Sequence, residues 1–231
     1  MIPLKTTNAR TEHPPYLTYG LIALNVIVFL WETTLPANAL RAALYNLAVV
    51  PCELGKAFFS PETVLDVVRG MFLHGDWLHM IGNMTFLWIF GSNIEDYYGK
   101  RTFLALFFLS GAVAALMQSF ISWQLCVPMV GASGAVSGIL GSYIILFPGV
   151  KVRVGVPLFR VLWQTFLLPV WLVLGYWFAL QLVNGFVSMG VDTIGEGGVA
   201  FFAHIGGFSF GALFAFVFTL FRPAPRAVRE L

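Results

Sequence analysis

Charge is what this sequence has least of. Of its 231 residues 10% are Asp, Glu, Lys or Arg and 58% are hydrophobic, whereas a soluble domain is about 25% charged. So few charges do not cover a water-facing surface, which excludes an ordinary soluble globular protein. Cysteine is nearly missing too. Cys52 and Cys126 are the only two. They build no disulfide framework and their spacing is no metal motif. Two separate thiols are expected, although an oxidising exterior would permit a bond between them. The net charge of +2 gives no basic footprint for nucleic acid. There is no low-complexity run and no repeat of fixed period. No cleavable signal peptide is expected, because the N-terminus is polar and the first apolar run begins only near Tyr16.

What is present is length without charge. A helix needs roughly 20 apolar residues to cross the hydrocarbon core. Six stretches qualify: about Tyr16–Thr34, Trp77–Tyr97, Thr102–Trp123, Ala132–Phe147, Gln164–Val187 and Val199–Phe221. The uncharged run Thr102–Val150 is too long for one span, and breaks at Ser122–Gly131, where Gln124, Pro128 and Gly131 interrupt it. The fold class is therefore an all-α membrane protein, a six-transmembrane-helix bundle. Residues 1–15 and 222–231 are tails, 16–221 the helical domain and 35–75 a long outer loop. That loop mixes Ala39–Tyr45 and Phe58-Phe59 with Glu53, Glu62 and Asp66. This pattern predicts short amphipathic helices in the membrane interface.

Basic residues set the direction. Ten of the 13 Lys and Arg fall on one side: Lys5, Arg10, Lys100, Arg101, Lys151, Arg153, Arg160, Arg222, Arg226 and Arg229. Arg41, Lys56 and Arg69 remain on the other. The excess of Lys and Arg marks the cytoplasmic face. Both termini are expected in the cytoplasm, with the protein in a cell (inner or plasma) membrane.

The polar residues inside the spans share a depth. Ser133 lies 18 positions before Lys151, His204 18 before Arg222, Asn83 17 before Lys100 and His79 16 before Glu95. At about 1.5 Å per residue these are roughly 24–27 Å from the inner end, in one layer just below the outer surface. An unpaired polar group in hydrocarbon is costly, so such residues face one another or a wet cavity. A hydroxyl and an imidazole are the parts of a nucleophile–base pair. Alone, each residue has a plainer reading: a serine bonding its own helix backbone, a histidine bonding a neighbouring helix. The glycines speak for the set. Gly131, Gly134 and Gly138 surround Ser133, and Gly207 and Gly211 follow His204. Gly134/Gly138 and Gly207/Gly211 are small-xxx-small pairs that let helix backbones touch.

Gly131-x-Ser133-Gly134-x-x-x-Gly138, Ala203-His204-x-x-Gly207-x-x-x-Gly211 and His79-x-x-x-Asn83, in this order on spans four, six and two, together resemble the rhomboid intramembrane serine proteases. The resemblance implies a six-helix rhomboid-like bundle with Ser133 as nucleophile and His204 as general base, a dyad without a carboxylate. His79, Asn83 and the backbone N–H groups of Ala132 and Ser133 would bind the oxyanion. It implies transmembrane protein substrates, cut in or near their helix on the outer side, at small residues near helix-destabilising ones. It implies no cofactor and no metal. Span five is the usual gate candidate; its Trp171, Tyr176, Trp177 and Phe178 either plug that gap or face lipid. Two features depart from the pattern. Ser137 stands where some members carry an aromatic against the histidine ring, and the first connection has no Trp-Arg pair. His74 aligns with a histidine that is more often structural.

Other classes use some of the same residues. A catalytically inactive rhomboid-like protein would bind transmembrane clients, but its usual sign is loss of the serine or histidine, and both are here. A small transporter needs ion-coupling acids, and the spans are read as lacking them. A metal site from His74, His79 and His204 lacks neighbouring carboxylates and thiolates. Neither the natural substrate nor the oligomeric state follows from the sequence.

Overall fold

The structure, a computed structural model, describes residues 2–7, 11–54, 60–159, 162–189 and 199–223. Arg10, Lys56, Phe58, Phe59, Arg160, Arg226 and Arg229, used in the loop and charge readings, lie outside them. The chain is a helical membrane bundle. Its elements run β1 (Ile2–Thr7), α1 (Tyr16–Thr34), α2 (Ala37–Leu47), α3 (Pro61–Gly70), α4 (Trp77–Tyr98), α5 (Lys100–Ile121), α6 (Ser133–Leu146), β2 (Lys151–Phe159), β3 (Leu162–Pro169), α7 (Val170–Ser188) and α8 (Phe201–Thr219). Four of them, α1, α5, α7 and α8, are long and apolar enough to cross a membrane. Helix α4 is as long as α5 but carries Glu95 and Asp96 in its last turn, and α6 is a shorter apolar helix of 14 residues. Large apolar side chains face outward along the bundle, among them Ile27, Trp88, Phe120, Phe186 and Leu213. A soluble surface does not carry so continuous an apolar covering.

Helix α6 is the axis, nearly every residue buried, and it packs chiefly on α8 and α5. Its contact with α8 is backbone against backbone. A Cβ at Gly207 would meet the Gly134 carbonyl, one at Gly211 the Gly138 carbonyl, and one at Gly141 the Phe208 carbonyl. The Ser142 hydroxyl donates to the Gly211 carbonyl at 2.8 Å, locking the same register. These contacts pair early residues of α6 with early residues of α8, so the two helices run in the same direction.

The end of the bundle that holds Lys100 and Arg222 is tied by the last turn of α4. The Glu95 carboxylate accepts from the N–H groups of Leu17 (3.0 Å) and Thr18 (2.7 Å) and from the Thr18 hydroxyl (2.8 Å). An anion there satisfies the orphan donors of α1 and its helix dipole. Asp96 accepts from the N–H groups of Glu12 and His13. Tyr97 donates to the carbonyls of Arg222 and Pro223 just after α8. Gly99, at φ +74°, then turns the chain directly into α5.

A three-stranded antiparallel sheet, ordered β1-β2-β3, caps this end. The sequence reading treated these segments as tail and connection and began the fifth span at Gln164. The structure instead places Gln164–Pro169 in β3 and starts the helix at Val170. The alternation explains it: Val152 and Val154 are buried against the bundle while Lys151 and Arg153 face out.

At the opposite end α2 and α3 are the expected short helices of the long loop. Ser60 caps α3 by accepting from the Thr63 N–H. Two expectations are corrected here. Cys52 and Cys126 form a disulfide, because the segments leading into α3 and α6 lie side by side: the Cys52 N–H donates to the Leu125 carbonyl and the Met129 N–H to the Val49 carbonyl. The spans are also not free of acid. Glu32 in α1 is 2% exposed, and both its oxygens accept from the His74 N–H, at 3.1 and 3.2 Å.

Candidate functional site

Ser133 opens α6, with Ala132 as the N-cap and no side chain capping the helix. The first N–H groups of a helix have no partner within it, and they give that end a partial positive charge. Gly131 precedes them at φ +116°, a conformation that glycine tolerates and other residues resist. Its N–H donates to the Gly70 carbonyl at 2.9 Å. A Cβ at Gly131 would lie 2.6 Å from His79 Cε1 and Nε2 and 3.4 Å from Asn83 Nδ2. His79 and Asn83 therefore flank the approach to Ser133. The two share a face of α4, being four residues apart, and α4 itself is started by Asp76, which accepts from the His79 N–H at 2.9 Å.

His204 sits in the first turn of α8, beside the start of α6. The N–H of the preceding residue, Ala203, donates to Gln118 Oε1 of α5 at 3.1 Å, so a side chain satisfies one orphan donor of α8. His204 Nδ1 lies 2.8 Å from Gln181 Oε1. Among the described residues, the Ser133 hydroxyl makes no hydrogen bond, and none joins it to the His204 ring. Catalytic hydrogen bonds are often long without substrate. A cavity of about 50 Å³, lined by Met129, Gly131, Ser133, Ala200 and Ala203 among others, has room for water next to the hydroxyl.

Ala132 is the residue that caps α6. Gly134, Gly138, Gly207 and Gly211 make the α6–α8 contact described above, and the Ser137 hydroxyl donates back to the Ser133 carbonyl at 2.6 Å. With Ser137 so occupied, the imidazole finds its aromatic neighbour on another helix: Trp177 of α7, ring centroids 5.8 Å apart. Trp177 and Phe178 turn toward Phe208 of α8, whereas Trp171 and Tyr176 are exposed on the outer surface of the bundle.

His74 is buried behind α4. Its Nδ1 is 3.3 Å from the Phe72 carbonyl and its Nε2 3.1 Å from Asn83 Nδ2. Both ring nitrogens are thus engaged, which leaves none for a metal. Burial, helped by the nearby His79, lowers its pKa from 6.5 to about 4, so it is neutral at physiological pH. Sequence reasoning passed over Gln181, Gln118 and Glu32. The available signal was the cost already used for Ser133 and His204, a lone polar group in an apolar span.

Residues 61–221 match the profile of the Rhomboid domain. The chain is similar to Rhomboid protein 1, mitochondrial, of Saccharomyces cerevisiae, 29% identical over 207 residues, covering 87% of this chain and 53% of that one. It is similar to Rhomboid protease AarA of Providencia stuartii, 28% identical over 225 residues, covering 88% and 73%. It is also similar to Presenilin-associated rhomboid-like protein A, mitochondrial, of Danio rerio, 34% identical over 139 residues, covering 58% and 33%. The chain spans about half the length of the yeast relative.

Proposed function

This chain belongs to the rhomboid family, and from that premise we propose that it is an intramembrane serine endopeptidase working through a Ser133–His204 dyad. Ser133 Oγ attacks the scissile carbonyl carbon while His204 takes its proton. The carbonyl π electrons move onto oxygen, and the oxyanion is met by Asn83 Nδ2–H, His79 and the free N–H groups of Ala132 and Ser133. His204 then protonates the leaving amine, and water, activated by the same imidazole, hydrolyses the acyl ester. Each preorganised donor contributes about 2.7–4 kcal/mol to such a transition state.

The observation that carries this reading is the crowding of His79 and Asn83 against Gly131, two residues ahead of a serine that starts a buried helix. Substrates are membrane proteins whose helix unwinds locally, since a closed helix hides its carbonyls from a nucleophile. Helix α7 packs on α8 and hardly touches α4, which supports entry between α4 and α7. The proposal includes six spans, α4 and α6 completing the four long ones, and both termini in the cytoplasm of a cell membrane. The mitochondrial relatives make the inner mitochondrial membrane the competing address, and fractionation of the source cells separates the two.

The test uses purified protein in detergent with a tagged single-span substrate. The parent cleaves it, and Ser133→Ala and His204→Ala each lose at least about 10³-fold. A fluorophosphonate labels Ser133 in the parent. Cleavage persisting in Ser133→Ala ends the serine mechanism. A folded parent that neither cleaves nor labels is the client-binding, inactive protein instead.

A further inference from the structure

A dyad without a carboxylate leaves open what fixes the imidazole, and the neighbouring helix supplies an answer. Trp177 and Gln181 are four residues apart on α7, hence on one face of it, and that face meets His204. Gln181 is 8% exposed. Its Oε1 lies 2.8 Å from His204 Nδ1, and its Nε2 lies 3.5 Å from the Trp177 carbonyl. A carbonyl only accepts, so the nitrogen end of the amide belongs on Trp177 and the oxygen end on the ring. An amide oxygen also only accepts. Nδ1 therefore carries the proton, and the free lone pair of the neutral imidazole is on Nε2. The indole of Trp177 covers the ring at 5.8 Å between centroids, with 36° between planes.

We propose that Gln181, backed by Trp177, is the positioning residue for His204. It holds the tautomer that leaves Nε2 free to take the Ser133 proton, and its carbonyl dipole and the indole face stabilise the imidazolium that results. This rests on the dyad reading above. Among the described residues of the helices packed against it, nothing charged competes near the ring. Helices α6, α7 and α8 carry no Asp, Glu, Lys or Arg, the Lys100 and Arg101 of α5 are at its opposite end, and the titratable group facing the ring is His79 of α4.

The experiment measures the rate at which a fluorophosphonate labels Ser133, from about pH 5 to pH 9, alongside kcat and KM on the tagged substrate. The probe is small and needs no passage of a substrate helix past α7, so it reads activation of the serine alone. Gln181→Leu removes the acceptor. Labelling and kcat fall about 10–100-fold, a share of what general-base catalysis supplies, while KM and the thermal midpoint stay near the parent. Gln181→Glu restores an acceptor and adds charge. It recovers most of the rate and moves the acid limb of the profile to higher pH, because a carboxylate favours the imidazolium.

Three results overturn the proposal: parent-rate labelling in Gln181→Leu, a loss confined to KM, or an unmoved acid limb in Gln181→Glu. Should Gln181→Leu fail to fold, the pH profile of Gln181→Glu decides. Persistent cleavage by Ser133→Ala removes the dyad and this proposal together. Inactive Ser133→Ala and His204→Ala beside an unimpaired Gln181→Leu removes the positioning role alone.

Discussion

Asn83 reaches the mouth of α6 with one amide hydrogen already committed, its Nδ2 lying 3.1 Å from His74 Nε2. For Nε2 to accept, His74 must carry its proton on Nδ1, which the Phe72 carbonyl at 3.3 Å receives. The His74 backbone is anchored in turn by the Glu32 carboxylate. Carbonyl, imidazole and amide so fix which end of Asn83 faces Gly131, and the second Nδ2 hydrogen is the one that the proposed mechanism would direct at an oxyanion. The arrangement holds only while His74 is neutral. In the unfolded chain it titrates near 6.5 and in the folded chain near 4. Between these values the unfolded state binds the proton and the folded state does not. The stabilisation is complete above pH 6.5 and is lost as the pH falls toward 4, amounting to about 3 kcal/mol at most. The change in thermal midpoint across that window should be more unfavourable in the parent than in His74→Leu, and an identical pH dependence in the two proteins would contradict the buried neutral imidazole.

Between helices, the requirement is closeness. Gly211 lies against the Gly138 backbone and Gly207 against that of Gly134, so any side chain there forces α6 and α8 apart. Overpacking of this kind costs typically about 1–3 kcal/mol, and it also widens the gap between Ser133 and His204. Gly211→Ala should lower the thermal midpoint by several degrees and activity by more than about tenfold. Gly20→Ala and Gly175→Ala are the controls, because a Cβ at either meets nothing within 4 Å. Equal effects at all three would remove the contact argument. This is also the level at which the sequence was most readable. Serine, histidine and asparagine inside uncharged helices are expensive unless gathered, and four-spaced glycines say which helices touch, so α6 and α8 could be paired before any coordinates. The same logic passed over Gln181 and Gln118, whose partners, the His204 ring and the Ala203 N–H, lie on helices that no spacing rule links to them. The sheet was hidden for another reason. The apolar residues of β3, Phe166–Leu168, are separated from α7 by Pro169 alone, and a short alternation such as Lys151–Val154 is a weak signal beside a strongly apolar helix.

Taken whole, the molecule has one tied end and one stitched end, with the candidate site next to the stitching. The Cys52–Cys126 bond joins the segment before α3 to the segment before α6. The Tyr45 hydroxyl donates to the Cys126 carbonyl at 3.1 Å, and the Gly131 N–H is held by Gly70 a few residues further along. The residues that lead into Ser133 are therefore braced by the loop before α4. A bond closing a chain separation of 74 residues stabilises mainly by restricting the unfolded state, typically by about 2–4 kcal/mol. Cys52→Ser should lower the thermal midpoint while leaving kcat within about threefold, because the bridge touches no reacting group and the Met129–Val49 and Gly131–Gly70 hydrogen bonds remain. The same cysteines report orientation. In sealed cells an impermeant maleimide should label neither thiol before reduction and both after it, since disulfides persist on the oxidising side of a membrane. Labelling without reductant would break the pairing. Labelling only after the membrane is opened would place these loops inside and invert the orientation drawn from Lys5, Lys100, Lys151 and Arg222.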